Sequence, residues 1–541
     1  MKKHLLLLVF AFVLLFGAKA FSQERGFFRI YPSEGNKFGT SCAIETEDHS
    51  FIVALNNDLY GDSCARLLKL SPEGDVTNSV YVDEPDKFFL LYRLFRHPFN
   101  HGSFIGMGLY SFFDTIPSPF KISVPYLVHF DDGLNITMRK QVELPESLER
   151  KSISTFEAMF NKDWNLFGEY MFFTPSIPPS DYRRLFTEMT VDGDFIRIVE
   201  DTLDLQITGG PEAVFEFPIT HEVGTLRWGD PEQRPEQVHK LYKLDEDFVA
   251  EELNEFRRFG FDTLSYNISH ISTRYNSLVY HGADILPLDD TTLLFSMKTD
   301  EHWYQWWPEP IDTNIFITDP SAVLFKTDLE GNMRDYCVIK SYNDSIEVVP
   351  WVCSVGITKA NVLGRKDIYH CCYSQYSDLC ENPNTLTLTK LTDDFEILWQ
   401  KSYTVPEVYL EAHHLMVTSD GGCLVVGSVT RGCNQPYSQG ERNEWFALKL
   451  NPDGTVGMNE GGIEVRPYAF YPNPVKEQLH MQFSPDVQPA QVELYDLQGR
   501  LVRTQSKAFE SIDMSQLPAG TYTLRVTLED GKVYTDKVVK E

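Results

Sequence analysis

Positive charge is scarce: 48 Lys and Arg stand against 78 Asp and Glu, a formal balance of −30. A chain this acidic repels a polyanion instead of releasing counterions onto a basic face, so nucleic acid is excluded as a partner. The acid is spread along the chain and not gathered in a tail, as on a solubilised extracellular surface. After residue 20 no apolar run is long enough to cross a bilayer,. Paired C-x-x-C spacings are missing, so neither a metal nor another cofactor is expected,. No G-x-S-x-G, H-E-x-x-H or P-loop occurs, which removes the hydrolase and nucleotide classes that carry linear signatures. Helix-period segments are few.

The leader is plain. Lys2 and Lys3 precede an apolar run from Leu5 to Phe16, and Ala18-Lys19-Ala20 supplies a small-x-small cleavage site,. Twelve apolar residues are too few for a span, which needs about twenty,. No cysteine follows the run, which argues against a lipid anchor. Residues 1–20 therefore read as a signal peptide. Removing its three lysines takes the formal charge from −30 to −33. Nine cysteines then enter an oxidising compartment,. Near neighbours in sequence pair Cys42 with Cys64, Cys337 with Cys353, Cys371 or Cys372 with Cys380, and Cys423 with Cys433. One thiol is left over, and spacing alone does not establish the connectivity.

Phe and Tyr are abundant, and apolar residues alternate with polar ones in short runs, the signature of an all-β chain. One hairpin pattern recurs: an alternating strand, an acidic turn, another strand. It appears at Leu67–Gly74, Leu127–Gly133, Met189–Gly193, Leu241–Asp247, Leu324–Gly331, Leu388–Asp394 and Leu448–Gly454. Successive turns lie 59, 60, 54, 84, 63 and 60 residues apart. Asp, Asn and Gly suit such turns because they tolerate a left-handed backbone. A second hairpin precedes most of them, centred on Glu47–Ser50, Asn100–Gly102, Asn161–Asp163, Asp289–Thr291 and Ser419–Gly422; the fourth unit shows none. Two hairpins make a four-stranded sheet, and seven such sheets set radially make a propeller. The expectation is an all-β chain with a seven-bladed β-propeller over 21–460, with six or eight blades or paired β-sandwiches as rivals.

From Arg466 the texture changes. Residues 461–467 form a Gly-containing linker, and 468–541 read as a small Ig-like β-sandwich. Leu479, Met481 and Phe483 alternate with His480 and Gln482. Val492 and Leu494 form an inward pair, and Tyr522, Leu524, Val526 and Leu528 alternate with Thr523, Arg525 and Thr527,. Four segments carry a family resemblance: Tyr471-Pro472-Asn473-Pro474-Val475; Val492 to Val502 through Tyr495 and Gly499-Arg500; Leu517 to Val526 through Pro518, Gly520 and Tyr522; and Gly531 to Lys540. In order and spacing they resemble the type A C-terminal sorting domain of type IX secretion in the Bacteroidetes. The repeat pattern before it loosely resembles propeller-like repeats of exported proteins with this tail. The resemblance implies passage through the periplasm and across the outer membrane by the type IX machinery. It also implies removal of the tail by a sortase-like protease, then release or attachment to anionic lipopolysaccharide at the cell surface. An exposed chain near Asn459 to Arg466 suits such a cut.

Chemistry is harder to find. Glu301 to Pro310 lies within the 84-residue interval, as an insertion between the hairpins of the fifth unit. Its His302, Trp303, Tyr304, Trp306 and Trp307 form a candidate ligand patch, since flat rings stack on sugars or aromatics while nearby acids bind hydroxyls; rings that merely cover a blade edge are the plainer reading. His413 and His414 are adjacent on a strand and point to opposite faces, so they do not share a ligand, whereas Glu411 and His413 share a face. Asp114-Thr115-Ile116, Asp201-Thr202-Leu203, Asp262-Thr263-Leu264 and Asp344-Ser345-Ile346 resemble a short O-glycosylation acceptor motif of exported Bacteroidetes proteins. No catalytic residue stands out. The sequence supports an exported binding or interaction module for a glycan or protein, with an extracellular propeller hydrolase or lyase and a structural adhesin as alternatives.

Overall fold

The computed structural model describes residues 26–32, 38–57, 65–82, 88–114, 120–142, 152–173, 183–201, 211–229, 238–259, 283–299, 303–307, 315–316, 321–339, 349–358, 364–375, 385–405, 408–431, 444–456, 468–471, 475–483, 488–529 and 531–541. Among them every regular element is a strand. The leader and the 461–467 linker lie outside the described residues.

β1 (Phe27–Pro32) comes before a series of four-stranded meanders. Sheet one is β2 (Phe38–Glu45), β3 (Phe51–Asn57), β4 (Ala65–Leu70) and β5 (Val76–Tyr81). Sheet two is β6 (Phe88–Arg96), β7 (Ser103–Asp114), β8 (Phe120–Asp131) and β9 (Ile136–Gln141). Sheet three is β10 (Ser152–Phe160), β11 (Leu166–Phe173), β12 (Arg183–Met189) and β13 (Phe195–Asp201). Sheet four is β14 (Pro211–Glu216), β15 (Val223–Gly229), β16 (Val238–Leu244) and β17 (Ala250–Phe259). Sheet five begins with β18 (Ala283–Asp289) and β19 (Thr292–Thr299). The chain then leaves it for β20 (Trp303–Trp307) and β21 (Ile315–Phe316), which extend sheet four beyond β17. It returns with β22 (Ser321–Thr327) and β23 (Met333–Ile339). Sheet six is β24 (Val349–Ile357), β25 (Asp367–Gln375), β26 (Thr385–Thr392) and β27 (Ile397–Thr404). Sheet seven is β28 (Val408–Val417), β29 (Cys423–Arg431) and β30 (Glu444–Leu450), with β1 as its fourth strand.

The sheets contact one another in a closed circuit. β2 packs on β6, β8 on β10, β10 on β14, β14 on β18, β18 on β24, β24 on β28, and β28 returns to β2. Each gap has its own apolar core. Leu424, Val426 and Trp445 of sheet seven meet Val53 and Leu55 of sheet one. Cys423, Val425 and Phe446, one residue out of phase, meet Tyr369 and Leu388 of sheet six. Both faces of a middle strand are therefore buried, so β30 is buried at every position while the outer β9 alternates half-buried and exposed,. All seven first strands carry a register shift against their second, at Thr40/Cys42, Leu91/Arg93, Ile153/Thr155, Pro211/Ala213, Pro287/Asp289, Val352/Ser354 and Ala412/His414. A bulge bends and twists a strand, and here it recurs on the strands that adjoin the neighbouring sheets.

The seven acidic turns each follow a third strand. Six lead into the fourth strand of the same sheet; the seventh, after β30, does not, because β1 fills that place in antiparallel register from Phe27↔Lys449 to Pro32↔Glu444. The first hairpin of the fourth unit is β14–β15. Its turn, from Phe217 to Glu222, holds His221 at φ 57° and contains no Gly, Asn or Asp, so it had no legible signal.

The tail supplies β31 (Tyr468–Tyr471), β32 (Gln478–Phe483), β33 (Pro489–Tyr495), β34 (Leu501–Gln505), β35 (Ser511–Asp513), β36 (Gly520–Leu528) and β37 (Val533–Lys540). They form two sheets, β31-β32-β35 and β34-β33-β36-β37, around one core of Leu479, Met481, Leu494, Leu524, Val526 and Val538.

Candidate functional site

In the tail, Asp496 organises the Tyr495–Arg500 turn. Its carboxylate accepts the Arg500 N–H at 3.0 Å and Arg500 Nε at 2.7 Å. Gly499 takes φ 73°, where a Cβ would be strained,. Tyr522 is buried and its hydroxyl donates to the Pro518 carbonyl at 2.7 Å, which ties the Pro518–Gly520 turn to β36. Pro472, Asn473 and Pro474 lie outside the described residues, as does the side chain of Tyr471. The chain after them is held at Val475, whose N–H donates to Val539 and whose carbonyl accepts from Glu541.

The aromatic insertion has its backbone on β20, antiparallel to β17 from Glu255↔Trp307 to Phe259↔Trp303. In sequence it interrupts sheet five; in space it lengthens sheet four, because the outer edge of β17 offers unpaired backbone groups. The side chains of Trp303, Tyr304, Trp306 and Trp307, and all of His302, lie outside the described residues.

His413 is the bulge residue of β28. Its Nε2 lies 2.9 Å from Ser428 Oγ and 3.8 Å from Glu411 Oε1, while His414 Nδ1 accepts the Ala43 N–H at 3.3 Å. The two imidazoles serve different neighbours. At the same seam Glu45 accepts both the Ser419 N–H, at 2.7 Å, and its hydroxyl, at 2.6 Å; His49 Nδ1 sits 3.1 Å from Glu45 and 2.9 Å from Ser419. The residue types are those of a Ser-His-acid triad, but carboxylate and serine compete for one ring nitrogen. A triad needs the two on opposite nitrogens. This arrangement clamps sheet seven to sheet one.

The most concentrated charge is a buried network across sheets two, three and four. Arg227, fully buried, donates Nε to Glu169 and Nη1 to Asp201, each at 2.9 Å. Arg184 approaches the same carboxylates at 3.2 and 3.6 Å, and Thr225 donates to Glu169 Oε2. Arg227 also lies 4.3 Å from the Tyr242 ring centroid. Glu157 faces Glu169 directly across β10–β11 and is held by Arg93 Nη2 at 2.5 Å. Burial raises the Glu157 carboxyl above its ordinary range; Arg93 opposes this and Glu169 adds to it. Burial lowers the Arg184 guanidinium, with repulsion from Arg227 next, against the pull of Glu169 and Asp201. Three carboxylates thus meet three guanidiniums, in a network from which only Arg93 reaches solvent appreciably. Two adjacent carboxylates invite an acid–base reading, but both are spoken for by arginine. The acceptor-motif residue Asp201 is part of this network.

A second group emerges at the turns of sheets two and three. Phe95 of β6 packs on Phe160 of β10 at 5.2 Å, and Phe160 on Trp164 at 6.1 Å. Beside it, His97 lies 6.2 Å from Phe99 and 5.4 Å from His129. Burial lowers both imidazoles, with Asp192 pulling the other way; His129 also gains from its hydrogen bond to the Val191 carbonyl. Sequence reading overlooked Phe99 and Trp164, which sit among ordinary turn residues.

Two of the expected disulfides are not formed: Cys423, which begins β29, and Cys337, on β23, are free thiols. Cys337 is on the outer strand of sheet five, whereas Cys353 lies on the first strand of sheet six, opposite the Cys371–Cys372 step. Cys64, Cys380 and Cys433 and the Cys353 side chain are outside the described residues. Burial pushes the Cys423 thiol up to about 12.

Residues 469–541 match the family model of the secretion system C-terminal sorting domain. No curated protein matches the chain. Among solved structures, the β-propeller domain of the Trilobed protease from Pyrococcus furiosus is 8% identical, covering 80% of this chain and 99% of that one at TM-score 0.38. A protein of unknown function from Dyadobacter fermentans is 10% identical, with 64% and 94% covered at TM-score 0.34. An α-L-arabinanase from Penicillium chrysogenum, complexed with arabinobiose, is 10% identical, with 72% and 93% covered at TM-score 0.33.

Proposed function

We propose that the chain, exported by type IX secretion through its C-terminal sorting domain, is an extracellular binding module whose seven sheets are the blades of a propeller. The observation that carries this reading is the pairing of the buried charges. Arg227 with Glu169 and Asp201, Arg93 with Glu157, and Glu45 with Ser419 all join one sheet to the next. The interior polar groups stiffen a scaffold and leave recognition to turns and connections, where binding residues concentrate on a rigid frame. The Trp303–Trp307 strand, with His302, is one such candidate surface.

On this reading the leader is cut after Ala20 and the tail is removed near Asn459 to Arg466 by a sortase-like protease of a Bacteroidetes cell. The protein is then released or held at the surface by anionic lipopolysaccharide. Deleting 472–541 should leave it in the periplasm; its normal arrival outside the cell would refute the route. To test the module itself, the purified full chain is offered a panel of extracellular polysaccharides and proteins. Retention without product supports binding, and steady product formation overturns it.

The second reading, a hydrolase or lyase, draws on the Glu157–Glu169 pair and the raised Glu157 carboxyl. Any such activity should vanish in Glu157→Gln.

A further inference from the structure

Among the described hairpin turns of the seven sheets, thirteen positions are held at positive φ, and seven of these are glycine. Of the others Leu134 and Phe248 are buried, Phe395 is partly buried, and His49, His221 and Trp164 are exposed, Trp164 being the one large aromatic among the exposed three. After third strands, Leu134 (φ 63°) and Phe248 (φ 61°) are only 2% and 6% exposed and fill the cores between sheets. A bulky residue strains the backbone there, a cost that burial of a large side chain offsets. After the first strand of sheet three, Trp164 adopts φ 60° yet stays 53% exposed, with Phe160 against its ring. Glycine would satisfy that turn with less strain. The turn is also held rigidly. Asn161 accepts the Asp163 and Asn165 N–H groups, and Glu188 accepts from both the Asn161 and Asn165 amides, at 2.7 and 3.0 Å. At the corresponding turn of sheet two, Phe99 is 67% exposed on the N–H···Nδ1 bond to His97. Two large rings are thus held out in solvent on adjacent, braced turns.

We propose that Phe99 and Trp164 form a binding platform for a neutral carbohydrate, an inference that rests on the binding-module reading above. A sugar ring has an apolar C–H face and a hydroxyl edge. Flat side chains take the face, and the exposed Asn100, His101, Lys162 and Asp163 around them can hydrogen-bond the edge,. A protein partner would need a contiguous apolar patch, and here polar residues surround each ring. The chain's charge of −30 disfavours a polyuronate or other polyanion,. Rings braced before binding lose little entropy when the ligand arrives.

The test is affinity electrophoresis of the full chain through a soluble β-glucan, a mannan, a xyloglucan and a polyuronate, followed by titration calorimetry with oligosaccharides of any polymer that retards it. Expected is retardation by at least one neutral polymer and not by the polyuronate. Trp164→Gly and Phe99→Ala should each weaken binding at least tenfold, with the thermal midpoint within a few degrees of the parent. Trp164→Phe should keep part of the affinity, and Tyr336→Ala, an exposed ring on the outer strand of sheet five, should keep it all. Neutral-polymer binding that survives Trp164→Gly and Phe99→Ala would move the site elsewhere and overturn the platform, leaving the module reading intact. Binding of a protein from the panel with no polysaccharide bound would overturn the ligand class alone. No binding to any member would remove both.

Discussion

His370 is the buried group with the most direct consequence. It lies fully buried on β25, in the gap toward sheet five to which Ile368, two residues away on the same face, belongs. Neither of its ring nitrogens has a hydrogen-bond partner among the described residues, and burial lowers its pKa to about 4. The unfolded chain takes up this proton near pH 6.5 and the folded chain only near 4, so stability is full at neutral pH and falls across that window,. The gap corresponds to about 3 kcal/mol. Denaturant titrations at pH 7.5, 5.5 and 4 should show that loss, and His370→Phe should flatten it. Arg227 offers a different test. Arg227→Met keeps most of the packing but leaves Glu169 and Asp201 with less compensation, and should cost roughly 3–5 kcal/mol. A double change of Arg227 and Glu169 to apolar residues should recover part of it. Neither residue carries a mark in the sequence: a lone histidine in a strand and an arginine in Leu226-Arg227-Trp228 become distinctive only when burial and partners are known.

At the scale of elements, period-2 alternation and acidic turns made most hairpins legible, because a turn's backbone demands particular residues wherever it falls. The β14–β15 turn escaped because Phe217 to Glu222 forms its turn without those residues. The bulges escaped because an extra residue such as His413 leaves no compositional trace. β1 was missed for another reason: its partner β30 lies more than 400 residues later, beyond any local pattern. Its role predicts a large effect for a small deletion. Removing Phe27–Pro32 takes away the fourth strand of sheet seven and exposes Leu448, Phe446 and their neighbours. The shortened chain should melt at least 10 °C lower in calorimetry or aggregate on expression, and an unchanged midpoint would refute the closure.

For the whole molecule, the tail and the ring have separate cores: Leu479, Leu494, Leu524 and Val538 share no cluster with the sheet-to-sheet cores. Each has its own source of cooperativity. A chain ending before residue 469 should therefore keep the main calorimetric transition of the full protein within about 2 °C and lose a smaller one. A shift of both together would show that the two fold as one unit.

The local code was enough to establish export, the all-β class, the run of hairpins and the alternating strands of the tail, since each depends on residues within a few positions of one another. Tertiary structure decided which sheet receives the aromatic insertion, that Cys337 and Cys423 stay unpaired, and which charges compensate one another. It also decided that Trp164 and Phe99 stand in solvent while Leu134 and Phe248, at similar turns, are buried. Those outcomes depend on which surfaces meet across gaps between sheets, and that is set by packing among residues tens to hundreds of positions apart.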